Sequence, residues 1–263
     1  MERGLARVIA VCNQKGGVGK TTTSVNLAAS LAAADCETLL IDLDPQANAT
    51  SSLGFLPAEV TGEIYEALCG DRDIAELYLQ TALPQLKLVP ATTELVGAEL
   101  ELAAAPNRER ALERCIEKIR GDFRLILIDS PPSLGILTIN ALTAADTVLI
   151  PLQCEYMALE GVASLMRTIE LVRTNLNPRL RVEGLLLTMY DGRNNLCMQV
   201  AGEARAHFAD QVFETVIPRN VRLSEAPSHG KPALLYDLSS KGALSYLELA
   251  NELLMRIQGN GNT

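Results

Sequence analysis

Residues 15–23, Lys15 to Thr23, read KGGVGKTTT and stand between an apolar run (Arg7 to Cys12) and an alanine-rich stretch. Glycines let backbone N–H groups close around an anion, and a following helix adds the positive end of its dipole. The order predicted is therefore strand, phosphate-binding loop, helix, with Gly16, Gly17, Val18 and Gly19 forming the cradle. Lys20 is placed to reach the β- and γ-phosphates of a nucleotide, and the Thr21 hydroxyl to ligate Mg²⁺. Thr22 lies in the same first turn.

The rest of the chain repeats the alternation that such a loop requires. Short apolar runs follow at Glu37 to Asp42, Leu86 to Pro90, Phe123 to Asp129, Thr147 to Pro151, Val182 to Met189 and Val212 to Ile217. None alternates apolar with polar, as expected of strands covered on both faces. Helical patterns lie between them, over 21–34, 108–120, 157–174 and 241–257. In 108–120, Leu112, Cys115, Ile116 and Ile119 share a stripe, Asn107 is a natural N-cap and Gly121 a stop. The predicted fold is α/β, a mostly parallel central sheet with helices on both faces. With 48% hydrophobic and 21% charged residues the chain can build a substantial core. No repeat or long linker interrupts it, so one domain is expected over 1–263, with a loose tail at 259–263.

The loop departs from the usual Gly-x-x-x-x-Gly-Lys-Thr pattern in one informative way. Gln14 stands where glycine is expected, and a second lysine, Lys15, precedes Lys20 by five residues. One lysine suffices for one nucleotide. Lys15 is either a solvated surface lysine or a group that reaches a phosphate held by a second subunit. Two more segments end in carboxylates after apolar runs, where α/β sites collect their chemistry. Asp129, before Ser130, suits an acid that holds Mg²⁺ through water. Asp44, in DLDPQANAT (Asp42 to Thr50), is placed to position an attacking water, since phosphoryl transfer needs mainly placement and charge neutralisation.

These blocks, with SPPSLGILTINALTAAD (Ser130 to Asp146), PLQCEYMALEG (Pro151 to Gly161) and IPRNVRLSEAPSHGKP (Ile217 to Pro232), resemble the ParA/Soj partition ATPases of the deviant Walker A class. The resemblance runs from about Val8 to about Leu254. It implies ATP and ADP with Mg²⁺ as ligands and slow ATP hydrolysis. It also implies an ATP-sandwich homodimer in which Lys15 contacts the partner's nucleotide and Gly16 packs at the interface. Asp44 matches the hydrolysis-linked aspartate, and Pro218 and Asn220 match an adenine-lining segment. A ParB-type partner with a basic N-terminal peptide is implied as the stimulator of hydrolysis, and double-stranded DNA, without sequence preference, as the cargo surface. Ala47 stands where the family usually has glycine; if that position is left-handed, alanine costs about 1 kcal/mol.

The net charge of −9, taken alone, argues against nucleic acid. The charge is uneven, however: residues 167–231 hold nine basic and seven acidic residues, whereas the remainder holds 14 and 25. The resemblance assigns DNA contacts to Arg193 and Arg222. Aromatics are 4% and tryptophan is absent, so phosphate contacts rather than base stacking are expected. Expected localisation is cytoplasmic and nucleoid-associated.

The same residues bear on other classes of P-loop protein. A MinD-type membrane-associated ATPase shares the loop but ends in a basic amphipathic helix, whereas Leu249 to Gln258 carries only Arg256 as a base. An iron–sulfur reductase needs matching cysteines, yet Cys12, Cys36, Cys69, Cys115, Cys154 and Cys197 are scattered without a Cys-x-x-Cys. Without a secretory pattern at Met1 to Gly4, reduced thiols are expected. His207 and His229 stand alone and suggest no metal centre. A metabolic P-loop ligase would need a second-substrate motif, and none is evident.

Overall fold

The computed structural model describes residues 5–155 and 158–260. Seven strands form one sheet: β1 Arg7–Val11, β2 Thr38–Asp42, β3 Leu79–Gln80, β4 Leu86–Val89, β5 Leu125–Asp129, β6 Thr147–Gln153 and β7 Arg181–Thr188. Their spatial order is β3-β4-β2-β5-β1-β6-β7, and all neighbours are parallel except the β3–β4 pair. The helices are α1 Lys20–Ala33, α2 Asn48–Ser52, α3 Ile64–Cys69, α4 Leu95–Ala104, α5 Ala111–Ile119, α6 Ile136–Ala144, α7 Ala158–Asn175, α8 Asn195–Phe208, α9 Val221–Glu225, α10 Ala233–Tyr236 and α11 Lys241–Asn260.

Non-alternating strands follow from this layering. Side chains point to opposite faces at successive positions, and both faces are covered. Val8, Ala10, Ile126 and Ile128 enter one core with Leu112 of α5, Leu137 of α6 and Leu165 of α7. Ile9, Val11, Leu125 and Leu127 enter the other with Leu27 and Leu31 of α1 and Leu249 and Leu253 of α11. The three central strands β2, β5 and β1 therefore deliver their C-terminal ends side by side, with Asp42 in register with Asp129 and Val11 with Asp129 on the other side.

Three sequence expectations need correction, and one strand was not expected. Val212 to Ile217 is not a strand: isolated bridges join Val212 to Leu185 and Pro218 to Tyr190, and the Ile217 amide donates to the Leu187 carbonyl at 2.8 Å, without a continuous ladder. Between those bridges the amides of Glu214 and Thr215 donate to the Glu252 carboxylate at 2.9 Å each, which diverts the ladder to a side chain. Asn107 is not an N-cap; it is left-handed (φ 53°), has no capping bond, and precedes a single 3₁₀ turn before α5 begins at Ala111. Gly259 and Asn260 belong to α11 rather than a tail, and 261–263 lie outside the described residues. The two-residue antiparallel strand β3 was too short for any sequence pattern to mark.

Leu127 is fully buried between β5's neighbours and α1. Leu127→Ala is expected to cost about 2–5 kcal/mol. Urea unfolding checks this: the midpoint falls while the slope stays constant.

Candidate nucleotide site

The loop between β1 and α1 has the predicted form. Gly17 (φ 74°) and Gly19 (φ 87°) are left-handed, a conformation that a side chain disfavours. Gly19 is the N-cap of α1 and no side chain caps that helix, so its first amides are free to receive an anion. The loop is braced from outside itself. Asn13 Oδ1 accepts from the Lys15 amide at 3.0 Å while its Nδ2 donates to the Pro151 carbonyl at 2.7 Å. Thr188 Oγ1, from the end of β7, donates to the Val18 carbonyl at 2.8 Å.

The two lysines are in different environments. Lys20 is buried and its Nζ donates to the Lys15 carbonyl at 3.2 Å. Burial draws its amine below the ordinary value, and the Asp129 charge opposes that shift. Lys15 is on the outer limb, 44% exposed, with its Nζ 3.0 Å from Glu155. A Cβ on the neighbouring Gly16 would meet nothing within 4 Å. Among the described residues, no steric contact accounts for glycine at position 16.

Two carboxylates lie at the ends of β2 and β5. Asp129 accepts from Ser24 Oγ at 2.7 Å through one oxygen, while its other oxygen is buried with no partner. Burial raises the Asp129 carboxyl well above the ordinary carboxylate range, and the Asp42 charge adds to the rise. An orphaned carboxylate oxygen next to Thr21 and Lys20 fits a cation held through water. Asp42, which sequence reasoning passed over, is a structural anchor. It accepts from the Thr50 amide at 2.8 Å, the Thr50 hydroxyl at 2.7 Å and the Asp44 amide at 3.2 Å. That anchoring shapes the segment bearing Asp44, which is buried and faces Lys20. Ala47 adopts φ 51°, the left-handed conformation that alanine resists at a cost of about 1 kcal/mol.

A cleft of about 240 Å³ opens beside Gly19 and Thr22 and is lined by Thr188, Pro218, Asn220 and Tyr246 among others. Pro218 is held by the bridge to Tyr190. Asn220 uses Oδ1 to cap α9, accepting from the Arg222 amide at 2.9 Å. Both predicted base-lining residues thus reach the phosphate loop, although nearly 200 residues separate them from it in sequence.

A family model described as an AAA domain matches residues 6–182. The chain is 57% identical over 258 residues to the chromosome partitioning protein ParA of Myxococcus xanthus, covering 97% of this chain and 91% of that protein. It is 54% identical over 249 residues to the sporulation initiation inhibitor protein Soj of Bacillus subtilis, covering 95% and 98%. The chain belongs to the ParA/Soj family of partition ATPases. Among solved structures, a cobyrinic acid a,c-diamide synthase from Mycobacterium smegmatis with bound ADP and magnesium superposes with a TM-score of 0.85 at 39% identity, covering 97% of each chain. The cell division ATPase MinD of Pyrococcus furiosus superposes at 0.79 with 25% identity over 95% and 99% of the two chains.

In this ParA/Soj chain the two predicted DNA arginines are exposed but already paired. Arg193, with its side chain 91% exposed, donates to both oxygens of Asp191 at 2.9 Å each. Arg222 on α9 donates to Glu225 at 2.7 Å and lies 3.2 Å from Asp237. These two arginines of the mildly basic stretch are locally neutralised, which a residue count along the chain does not reveal.

Asp129→Asn removes a buried charge while keeping an acceptor for Ser24. It is expected to raise the melting temperature of the nucleotide-free protein, by about 2–4 °C for each kcal/mol gained, and to abolish Mg²⁺-dependent ATP turnover. Scanning calorimetry and a phosphate-release assay check the two halves.

Proposed function

We propose that this chain is an ATP-driven DNA-partition switch. It binds MgATP as a monomer, pairs into an ATP-sandwich dimer, and holds double-stranded DNA until hydrolysis releases it. The observation that carries the reading is the division of labour between two lysines of one loop. Lys20 is buried in its own phosphate cradle, whereas Lys15 projects from the cradle toward Glu155. An exposed ion pair is worth about 0–1 kcal/mol. Exchanging Glu155 for a phosphate presented by a second copy therefore costs little, and Gly16 leaves room for that copy's approach. The names of the relatives at 50–57% identity, most of them partition proteins, favour this reading over the ligase suggested by the synthase at 39%.

Within the site the roles divide as follows. The α1 amides and Lys20 bind the phosphates. Mg²⁺, when bound, would supply charge neutralisation at the transferring phosphoryl group; Thr21 and, through water, Asp129 are the residues that would hold it. Lys15 adds the partner's positive charge to the transferring phosphoryl group. Asp44, buried beside Lys20 and oriented by the Gln46 amide at 2.9 Å, places the attacking water. Pro218 and Asn220 line the base. The protein sits on the nucleoid while ATP is bound, and a ParB-type partner releases it by accelerating this slow hydrolysis.

DNA is held by phosphate contacts from Arg193 and Arg222. Their present carboxylate partners make binding by a single copy weak, and a dimer doubles the contacts. Four arginines on phosphates give a slope of log affinity against log salt of roughly −3 to −4.

DNA binding measured with ATP, ADP and no nucleotide, on two unrelated sequences, is the deciding experiment. Retention is expected only with ATP, equal on both sequences, and lost steeply with salt. Binding indifferent to nucleotide would reject the switch. Asp44→Ala is expected to accumulate as a dimer in size-exclusion chromatography with ATP; a monomer under those conditions would overturn the sandwich. Arg222→Glu is expected to keep ATP turnover and dimerisation and to lose DNA. An unaltered DNA shift at low salt would remove Arg222 from the interface.

A further inference from the structure

The segment that bears Arg222 is tied to the phosphate end of the site by two contacts that its sequence motif does not announce. The first is backbone against backbone. Gly54, which closes the loop after α2, and Gly230, which ends the 3₁₀ turn after α9, are both left-handed (φ 91° and 61°) and pack on each other. A Cβ on Gly54 would lie 3.0 Å from the Gly230 carbonyl oxygen, and a Cβ on Gly230 only 2.6 Å from the Gly54 Cα. No side chain intervenes to absorb movement.

The second tie is Asn26, buried on α1. Its Nδ2 donates to the Thr22 carbonyl at 2.8 Å, and its Oδ1 accepts from the Ala233 amide at 2.7 Å. One amide side chain thus spans the phosphate loop's helix and the far end of the same segment.

Both ties lead to the group that holds Arg222. Residues 221–237 form a folded unit: α9 runs directly into the 3₁₀ turn Ala226–His229, His229 stacks on Tyr236 at 4.8 Å, and the Tyr236 hydroxyl donates to Glu225 at 3.3 Å. Glu225, at the end of α9, and Asp237, which closes the unit, are the carboxylates that clamp Arg222. On the input side, Gly54 follows α2, and α2 hangs from Asp42 through Thr50. The Asp44 segment lies between those two anchors.

We propose that Asn26, Gly54 and Gly230 are positioning residues for Arg222. Through them, displacement of the Asp44 segment or of Thr22 moves residues 221–237 as a unit and so shifts where Arg222 and its two carboxylates stand relative to bound DNA. The proposal rests on the reading of Arg222 as a DNA contact. Its physical requirement is stiffness, which a glycine–glycine backbone contact and a buried, doubly bonded amide both supply.

Gly230→Ala tests it, because the added methyl must push the two loops apart. Gly70→Ala is the control: Gly70 is equally left-handed (φ 89°), but a Cβ there meets nothing within 4 Å. Gly230→Ala is expected to bind ATP and dimerise as the parent does, yet to lose the ATP-over-ADP preference for DNA by about tenfold or more, within the usual range of coupling between sites. Gly70→Ala is expected to keep that preference. A parent-like preference in Gly230→Ala would overturn the proposal. If Gly230→Ala does not fold, amide hydrogen exchange on the unmodified protein decides. The Lys231 and Ala233 amides are expected to exchange at different rates with a non-hydrolysable ATP analogue and with ADP; equal rates would overturn the proposal. Failure of the DNA reading looks different: Arg222→Glu would then leave DNA binding intact whatever Gly230→Ala does.

Discussion

Two buried carboxylates side by side, Asp42 and Asp129, are the arrangement around which the rest is organised. Parallel pairing of β2 with β5 sets them in register at the C-terminal edge of the sheet. Neither is comfortable there: burial raises both above the ordinary carboxylate range, with the Asp42 charge adding to the rise at Asp129 and the Asp44 charge to that at Asp42. Asp42 is relieved by three hydrogen bonds from Thr50 and Asp44. Asp129 is relieved only in part, by Ser24, and keeps one oxygen unpartnered. One carboxylate thus shapes the Asp44 segment, and the other remains available to a cation. A fold that carries this cost is stabilised by what binds it, so nucleotide occupancy and local structure are linked.

Away from that centre the charges are arranged for exchange. Lys15, Arg193 and Arg222 each rest on carboxylates of their own chain, in exposed pairs that contribute little to stability. Such pairs cost little to break and keep the cations from binding any passing anion. The acidic balance of the chain has the same effect at longer range. Tight binding then requires several exchanges at once, which two copies supply more readily than one.

Much of this was legible in the sequence because it depends on neighbours along the chain. The glycines of the loop, the lysine at its end and the apolar runs flanked by helices each have a local physical signature. So did six of the seven expected strands and the left-handed cost at Ala47. The failures were also local readings overruled from afar. Val212 to Ile217 has a strand's composition, but the Glu252 carboxylate takes its central amides. Asn107 has a cap's chemistry, but its backbone turns left-handed and the helix starts later.

The sequence by itself determined the phosphate loop, the layered α/β architecture and the identity of the chemical groups, since each follows from residue type and short-range spacing. The tertiary structure alone decided which groups meet. It brought Thr188 onto Val18, set Asp42 beside Asp129, paired Arg193 and Arg222 with their acids and packed Gly54 on Gly230. The reason is geometric. Parallel strands joined through helices place in contact residues that lie tens to hundreds of positions apart, and no periodicity along the chain records that distance.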